Sequence, residues 1–465
     1  MTADALREQL DGDLVTPEDA GYDEARAIFN AMHDRRPALI ARCTSTADVV
    51  AAVNHGREAG LEIAVRGGGH SVAGQSTCEG GLVIDLGGLS AIAVDPGAKV
   101  AATGGGAQWG AYDAATQEHG LHTPGGRVTT TGVGGFTLGG GMGWTSSKWG
   151  LTCDSLVGAE VVLADGRVVS ASENENPELF WALRGGGGNF GVVTRFDLRL
   201  HQLGPIVLAG LALWPIDRAQ EVLPAWRDLM DDAPDELGTG MVVITAPPED
   251  FVPDHLKGRP ALGLAAIWCG DPEEGAKQIQ PMKDLGPEVD LIQPMPYTAF
   301  QAMIDASAPH GLRSYWRGEY VDALSDEALD TFLAHAPGLV EAGMPFTQMI
   351  LFRIGQAISA VPEDATAYSH RDARYLFHPI TLWQDPADDV GLMAAARAFA
   401  KAMRPFDQGT AYLNFTAEPD RVREAFGDAK YRRLQAVKDE YDPDNLFRLN
   451  PNIEPSRKAD SPAMR

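Results

Sequence analysis

Residues 64–76 read AVRGGGHSVAGQS, and residues 412–415 read YLNF. Three consecutive glycines, Gly67, Gly68 and Gly69, let the backbone take positive φ and approach a ligand with no Cβ in the way. A run of N–H groups turned inward in this manner forms an anion-binding nest that suits a pyrophosphate. His70 stands at the exit of the nest, where the reactive ring of a cofactor could lie. In YLNF, Tyr412 and Asn414 are two residues apart, a spacing that puts both side chains on one face of a strand.

A single GGGH is more often a turn with a surface histidine. Here two more clusters follow, GVGGFTLGGGMGW at 132–144 and RGGGGNFGVV at 184–193. Three clusters spaced by strand and helix patterns do not read as three unrelated turns. The third contains Gly186, Gly188 and Gly191 at G-x-G-x-x-G spacing. A dinucleotide fingerprint must follow a strand and open a helix, whereas this one follows a helix and precedes a strand. No G-x-x-x-x-G-K-[ST] occurs.

The elements that must position these residues read as follows. Residues 16–34 are expected to form a short helix. Ser45 and Asp48 form a capping box for a helix ending near Gly60, with Val49, Val50 and Val53 on its apolar face. Strands are expected at 62–65, 82–86 and 99–103, and a helix at 109–119. A hairpin joins 156–163 to 167–171 through Asp165-Gly166. Asn176 and Pro177 open a helix running to about Arg184, and 192–200 alternates as a strand. From about residue 205 the glycine density falls, and 205–400 alternates strands with helices, as an antiparallel sheet with helices on one side would.

With 465 residues, the chain has room for two domains or one composite one. A formal net charge of −26 argues against nucleic-acid or anionic-membrane partners. The acidic N-terminus lacks the apolar core of a signal peptide, and no apolar run reaches membrane-spanning length. The four cysteines are scattered, with no disulfide framework or metal-ligand spacing. A soluble cytoplasmic protein with reduced thiols, without a metal site, is expected.

These segments also resemble a known family. PALIARCTSTADVVAAV (37–53), VRGGGHSVAGQS (65–76), GVGGFTLGGGMGW (132–144), KWGLTCDSLVGAEVV (148–162), NPELFWALRGGGGNFGVVT (176–194), YLNF (412–415) and YDPDNLFRLNPNI (441–453) are similar, in order, to the berberine-bridge-enzyme-like branch of the vanillyl-alcohol oxidase/PCMH superfamily. The resemblance implies an α+β fold in three parts. A PCMH-type FAD-binding domain covers 1–204, with its core at about 35–203. A substrate domain of antiparallel sheet covered by helices spans 205–404. A berberine-bridge-like segment, 405–465, returns to the FAD-binding domain.

It implies FAD, with the pyrophosphate on the backbone of Arg66, Gly67, Gly68, Gly69, His70 and Ser71, and His70 bonded covalently to the flavin 8α carbon. Gln75 and Ser76 continue the cradle. Gly132, Gly134, Gly135, Gly140 and Gly143 let the second loop pass the cofactor, Val192 lies beside the adenine, and Asn450 lies near the cofactor. Many relatives have a second bond from a cysteine whose position here is Val128, so a single link is expected. Thr131 aligns with the small residue near flavin C4a that governs oxygen access.

The implied activity is an oxidase that moves a hydride from a small-molecule alcohol, sugar or cyclic amine to flavin N5, with molecular oxygen leaving as hydrogen peroxide. A flavin dehydrogenase and a silent FAD-binding protein are the alternatives. Tyr412 is the candidate proton acceptor, provided its pKa is lowered from near 10 or it reacts in concert with hydride loss. Asn414 is the candidate hydrogen-bond partner of substrate or flavin. Trp316, Arg317, Tyr320 and Trp383 lie in expected substrate-domain strands, where a core or surface role is commoner than substrate contact. A monomer or homodimer is expected.

Overall fold

The computed structural model describes residues 3–418 and 421–456. Its first part holds two small sheets and a two-stranded ribbon of Leu121–His122 with His201–Gln202. In the four-stranded one the order is Asp13–Val15, Leu39–Arg42, Leu82–Asp85, Ile63–Arg66. The last three strands run parallel, and the Thr46–Ala59 helix lies between the second and fourth in sequence. That helix starts at the expected Ser45–Asp48 capping box and stops at Gly60, which takes the left-handed conformation. The second sheet is antiparallel: Ile92–Asp95, Val100–Gly104, Val192–Arg199, Leu156–Val162, Val168–Ala171.

The remaining large sheet has ten strands, paired antiparallel throughout. Successive side chains of a strand point to opposite faces, and Gln348–Arg353 shows the consequence. Met349 and Leu351 enter a core with the helices Ala219–Asp231, Asp326–Ala342 and Asp389–Met403, through Trp226, Phe332 and Phe399. Ile350 and Phe352 face the other way, toward Met142, Trp144 and Tyr412. One face is therefore sealed by helices and the other is turned to the glycine loops.

The C-terminal segment serves both parts. Asp407–Ala411 pairs with Glu319–Val321 in the ten-stranded sheet. The helix Val422–Tyr441, interrupted at Gly427 where φ is +71°, packs Leu434 and Val437 against Phe180, Leu183 and Phe190. Among the described residues no helix is long and apolar enough to cross a membrane.

Two expectations need correction. The helix expected over 16–34 reduces to Tyr22–Arg26, because Gly21 takes the left-handed conformation before it and Ala27 is extended after it. The chain beyond is a strap: Asn30 Nδ2 donates to the carbonyls of Val72 and Ser314. Asn176 precedes the Pro177–Leu183 helix but makes no side-chain cap. Its Nδ2 donates to the Ser170 carbonyl instead.

Candidate active site

The Ile63–Arg66 strand delivers Gly67–Gly69 against the second glycine loop so closely that side chains are excluded. A Cβ on Gly68 would lie 2.3 Å from Gly132 N, and one on Gly132 would lie 2.4 Å from Gly68 N. Two backbones in contact form one wall. The third cluster is tied to the same wall, since the N–H groups of Gly185 and Gly187 donate to the Leu138 carbonyl at 3.1 and 2.9 Å.

These loops line a cavity of about 1070 Å³ that extends to the glycine-facing side of the ten-stranded sheet. Drug-sized ligands occupy about 300–1,000 Å³, so the space suits a large cofactor together with a small substrate. Of the sequence-expected cofactor residues, the wall includes Gly67, Gly68, Gly69, His70, Ser71, Gln75, Ser76, Val128, Thr131, Gly132, Gly134, Gly135, Val192 and Asn450. Two buried atoms on it, Ser76 Oγ and Asn450 Oδ1, have no partner among the described residues. A cradle from which Cβ atoms are excluded, with unused polar atoms at its margin, fits FAD.

Three expected residues stand back from the cavity. Arg66 donates through Nη2 to Asp85 Oδ2 at 2.8 Å, so its charge is consumed in the sheet. Gly140 backs onto the Tyr368 ring, and a Cβ on Gly143 would meet the Gly125 carbonyl oxygen at 2.0 Å. The two glycines shape the loop and do not themselves line the cavity.

His70 is fixed on three sides. Nε2 hydrogen-bonds Thr130 Oγ1 at 2.8 Å. Its ring stacks on Phe29 at 4.5 Å and meets His310 edge-on at 5.2 Å. Burial, reinforced by His310, pushes its pKa down to about 3, so the ring is neutral at pH 7.

Tyr412 and Asn414 do come together, though by a different route from the one the spacing implied. The strand ends at Ala411, and Leu413–Phe415 is a single 3₁₀ turn. Asn414 Nδ2 donates to Tyr412 Oη at 3.1 Å and to the Phe136 carbonyl at 3.0 Å. Tyr412 Oη also accepts from the N–H groups of Gly141 and Met142. Burial outweighs these donors and pushes the phenol up to about 12. Of the two routes open to a Tyr412 base, a lowered pKa is not the one this burial provides, which leaves the concerted one; Tyr412 lies behind the lining while Asn414 is on it.

The opposite wall is carried by side chains: Val242, Ile350, Phe352, Ile380, Met303 and Trp316. Its polar groups are few. Gln348 donates to Ser307 Oγ at 3.0 Å. His378 stacks on Phe415 at 4.1 Å, and its Nδ1 lies 2.6 Å from the Arg317 carbonyl. Burial pushes its pKa down to about 3. Of the four aromatic and basic residues considered in these strands, only Trp316 lines the cavity. Arg317 is paired with Glu319 and Glu418, Tyr320 Oη bonds Tyr368 Oη, and Trp383 Nε1 bonds Asp389.

Several wall residues escaped the sequence reading. Gly185–Gly188 carry a cluster signal in the sequence, but the failed dinucleotide fingerprint gives them no role there. Phe29 was hidden in an expected helix. Arg127 adjoins Val128 in PGGRV, and proximity to that position was the available signal.

Comparison with known proteins accords with this geometry. The family described as FAD binding domain matches residues 37–172, and the one described as berberine and berberine like matches 411–454. The chain is 30% identical to (R)-6-hydroxynicotine oxidase of Paenarthrobacter nicotinovorans, over 96% of this chain and 97% of that one. It is also 30% identical to glucooligosaccharide oxidase of Sarocladium strictum, over 94% and 91% of the two chains. Among solved structures, 6-hydroxy-D-nicotine oxidase from Arthrobacter nicotinovorans superposes with a TM-score of 0.85 at 29% identity, covering 96% of this chain and 98% of that one.

Proposed function

The chain belongs to the FAD-linked oxidoreductases that carry a berberine-like C-terminal segment, and from that premise we propose that it oxidises a compact, largely apolar ring compound bearing an alcohol or amine. It is an FAD-dependent enzyme of the oxidase type. When bound, FAD supplies the two-electron chemistry, taking a hydride from the substrate and passing the electrons to oxygen, which leaves as hydrogen peroxide.

The chain's own residues divide the work. Gly67–Gly69, Gly132 and Gly185–Gly188 offer backbone to the diphosphate and adenylate portions, Ser76 offers a free hydroxyl and Asn450 a free carbonyl oxygen. His70 anchors the ring system covalently. Nε2 is engaged by Thr130 Oγ1 at 2.8 Å, which leaves Nδ1 as the nitrogen free to form the bond. Val128 makes this the single link. Asn414, oriented by Tyr412 and the Phe136 carbonyl, is the polar group at the reacting end. The sheet wall excludes water and positions the substrate. An amine bound in its neutral form can give up hydride directly, leaving an iminium, and needs no separate base, which suits a site whose tyrosine stays protonated.

The observation that carries the substrate class is the poverty of polar groups on the sheet wall. A sugar buried there would have more hydroxyls than the wall has partners, chiefly Gln348, Ser307 and the unpaired Nε1 groups of Trp144 and Trp316, and each hydroxyl left over costs about 1–3 kcal/mol. The two relatives at 30% identity act, by their names, on a hydroxynicotine and on glucooligosaccharides; this wall suits the former chemistry. Four buried, unpaired cysteines fit a reducing compartment such as the cytoplasm.

A peroxide-coupled screen tests the reading. Cyclic amines and benzylic alcohols should exceed glucose and cellobiose in kcat/KM by more than about 100-fold, the scale set by two or more unpaired hydroxyls. Equal turnover of the sugars would overturn it.

A further inference from the structure

We propose that Arg127 is the anion-recognising pole of the substrate half of the cavity, and that the ring compound oxidised there carries a carboxylate or an acidic hydroxyl. This rests on the substrate class inferred above and narrows it.

Arg127 leaves the Gly125-Gly126 turn at the seam between the second glycine loop and the ten-stranded sheet. Its guanidinium lies 3.8 Å from the centre of the Phe352 ring and 4.9 Å from that of Trp144. Nη1 donates to the Met142 carbonyl at 3.0 Å and Nη2 to the Gly143 carbonyl at 3.2 Å. Nε is buried and has no partner among the described residues. A guanidinium has five N–H donors, so each Nη keeps a second N–H beyond its carbonyl bond.

What Arg127 lacks is a counter-charge. No carboxylate among the described residues comes within 4.0 Å of it, whereas the buried Arg66 and Arg371 meet Asp85 and Asp154 at 2.8 and 2.7 Å. Arg184 and Arg353 also bond only carbonyls, but neither lines this cavity. Among the described residues Arg127 is the only lysine or arginine on the wall, and the one acid there, Glu249, is exposed at the rim. His378, the other titratable group on the sheet side, is buried and neutral. A half-buried cation left unpaired is costly. Burial lowers its pKa to about 9, which leaves it charged at pH 7.

The planar fork of a guanidinium matches a carboxylate in two parallel hydrogen bonds. Phe352 and Trp144, which meet edge-on at 6.0 Å, hold the guanidinium against their faces and so fix the direction of its fork. Selectivity comes with this arrangement: in a chain of net charge −26, anions are repelled at long range, and only a local cation draws one in.

The test titrates benzoate and its neutral isostere benzamide onto the purified yellow holoprotein, read as the shift of the visible flavin spectrum. Benzoate should bind at least about tenfold more tightly, the low end for a hydrogen bond to a charged group. Arg127→Met should bring the two within about twofold without loss of flavin, and Arg127→Lys should restore part of the preference. Equal binding in the wild-type protein overturns the proposal, as does a preference that survives in Arg127→Met. So does an Arg127→Met variant whose benzoate preference stands while its affinity for sulfite falls, because the cation would then serve the flavin. Protein that purifies colourless sinks the parent reading before any titration. Yellow protein indifferent to charge sinks only this one. Should Arg127→Met not fold, the wild-type comparison alone decides.

Discussion

On one side of the cavity Gly67–Gly69, Gly132 and Gly185–Gly188 present backbone; on the other Val242, Ile350, Phe352 and Ile380 present side chains. The backbone wall tolerates no added atom where its two loops touch, at Gly68 and Gly132. The side-chain wall is an ordinary apolar sheet face, where any residue of suitable size would serve. The first wall is therefore specific in shape and common in chemistry, as a cofactor shared by many enzymes requires. The second is permissive in both, which makes it the wall on which substrate choice is proposed to vary.

This contrast is open to attack at several points. The largest effect is expected from Gly68→Ala. Its new Cβ must displace Gly132 backbone, an overpacking that costs about 1–3 kcal/mol and weakens flavin binding about 10- to 100-fold. The ratio of flavin to protein absorbance measures it, and a fully yellow Gly68→Ala protein would refute the touching-loop account. On the other wall, Val242→Ala should leave the colour intact and change kcat/KM about tenfold or more, the range for removing methyl groups from an apolar pocket. If both variants lose flavin equally, the division of labour fails.

His70→Ala separates binding from anchoring. The variant should still purify with FAD, but acid precipitation should release all of the dye, whereas in the wild-type protein the colour should stay with the pellet. Tyr412→Phe is expected to be milder. Losing the Asn414 hydrogen bond costs about 1 kcal/mol, or about fivefold in kcat, while loss of a general base costs about 10²–10⁴-fold. A thousandfold loss would reinstate Tyr412 as the proton acceptor.

The smallest effect is in acid. His122 and His378 are buried, one on each side of the seam, and burial depresses both pKa values. Their unfolded pKa is higher, so below about pH 6.5 the unfolded chain binds protons that the folded chain refuses. Melting temperature should fall as pH drops from 7 toward 4, and His378→Gln should flatten the curve. An unchanged slope in that variant would remove His378 from the account.

The same contrast explains what could be read in advance. The glycine runs, the Ser45–Asp48 cap, the Asp165-Gly166 hairpin and the strand–helix alternation are local signals, and the chain obeys them. The wall at Val242, Ile350 and Ile380 is legible only as alternating strand residues, since which neighbour faces the ligand depends on which face the helices cover. Phe29 reaches His70 through a strap whose course is set by Asn30 bonding to Val72 and Ser314, the latter 284 residues away in sequence. No local pattern carries that. Tyr412 and Asn414 were paired correctly on mistaken grounds, a strand face where the chain makes a 3₁₀ turn. The pKa of Tyr412 could not be foreseen either, because it depends on burial by Met142 and the neighbouring sheet.

The cavity runs along the join between the glycine loops and the large sheet, so whatever fills it grips both banks. A freely exchanging ligand would strengthen that join only in proportion to its concentration, and the gain would fade on dilution. A ligand riveted to one bank at His70 faces the other at an effective concentration set by geometry alone. Prying the banks apart would then be opposed equally in a crowded cell and in a nearly empty test tube.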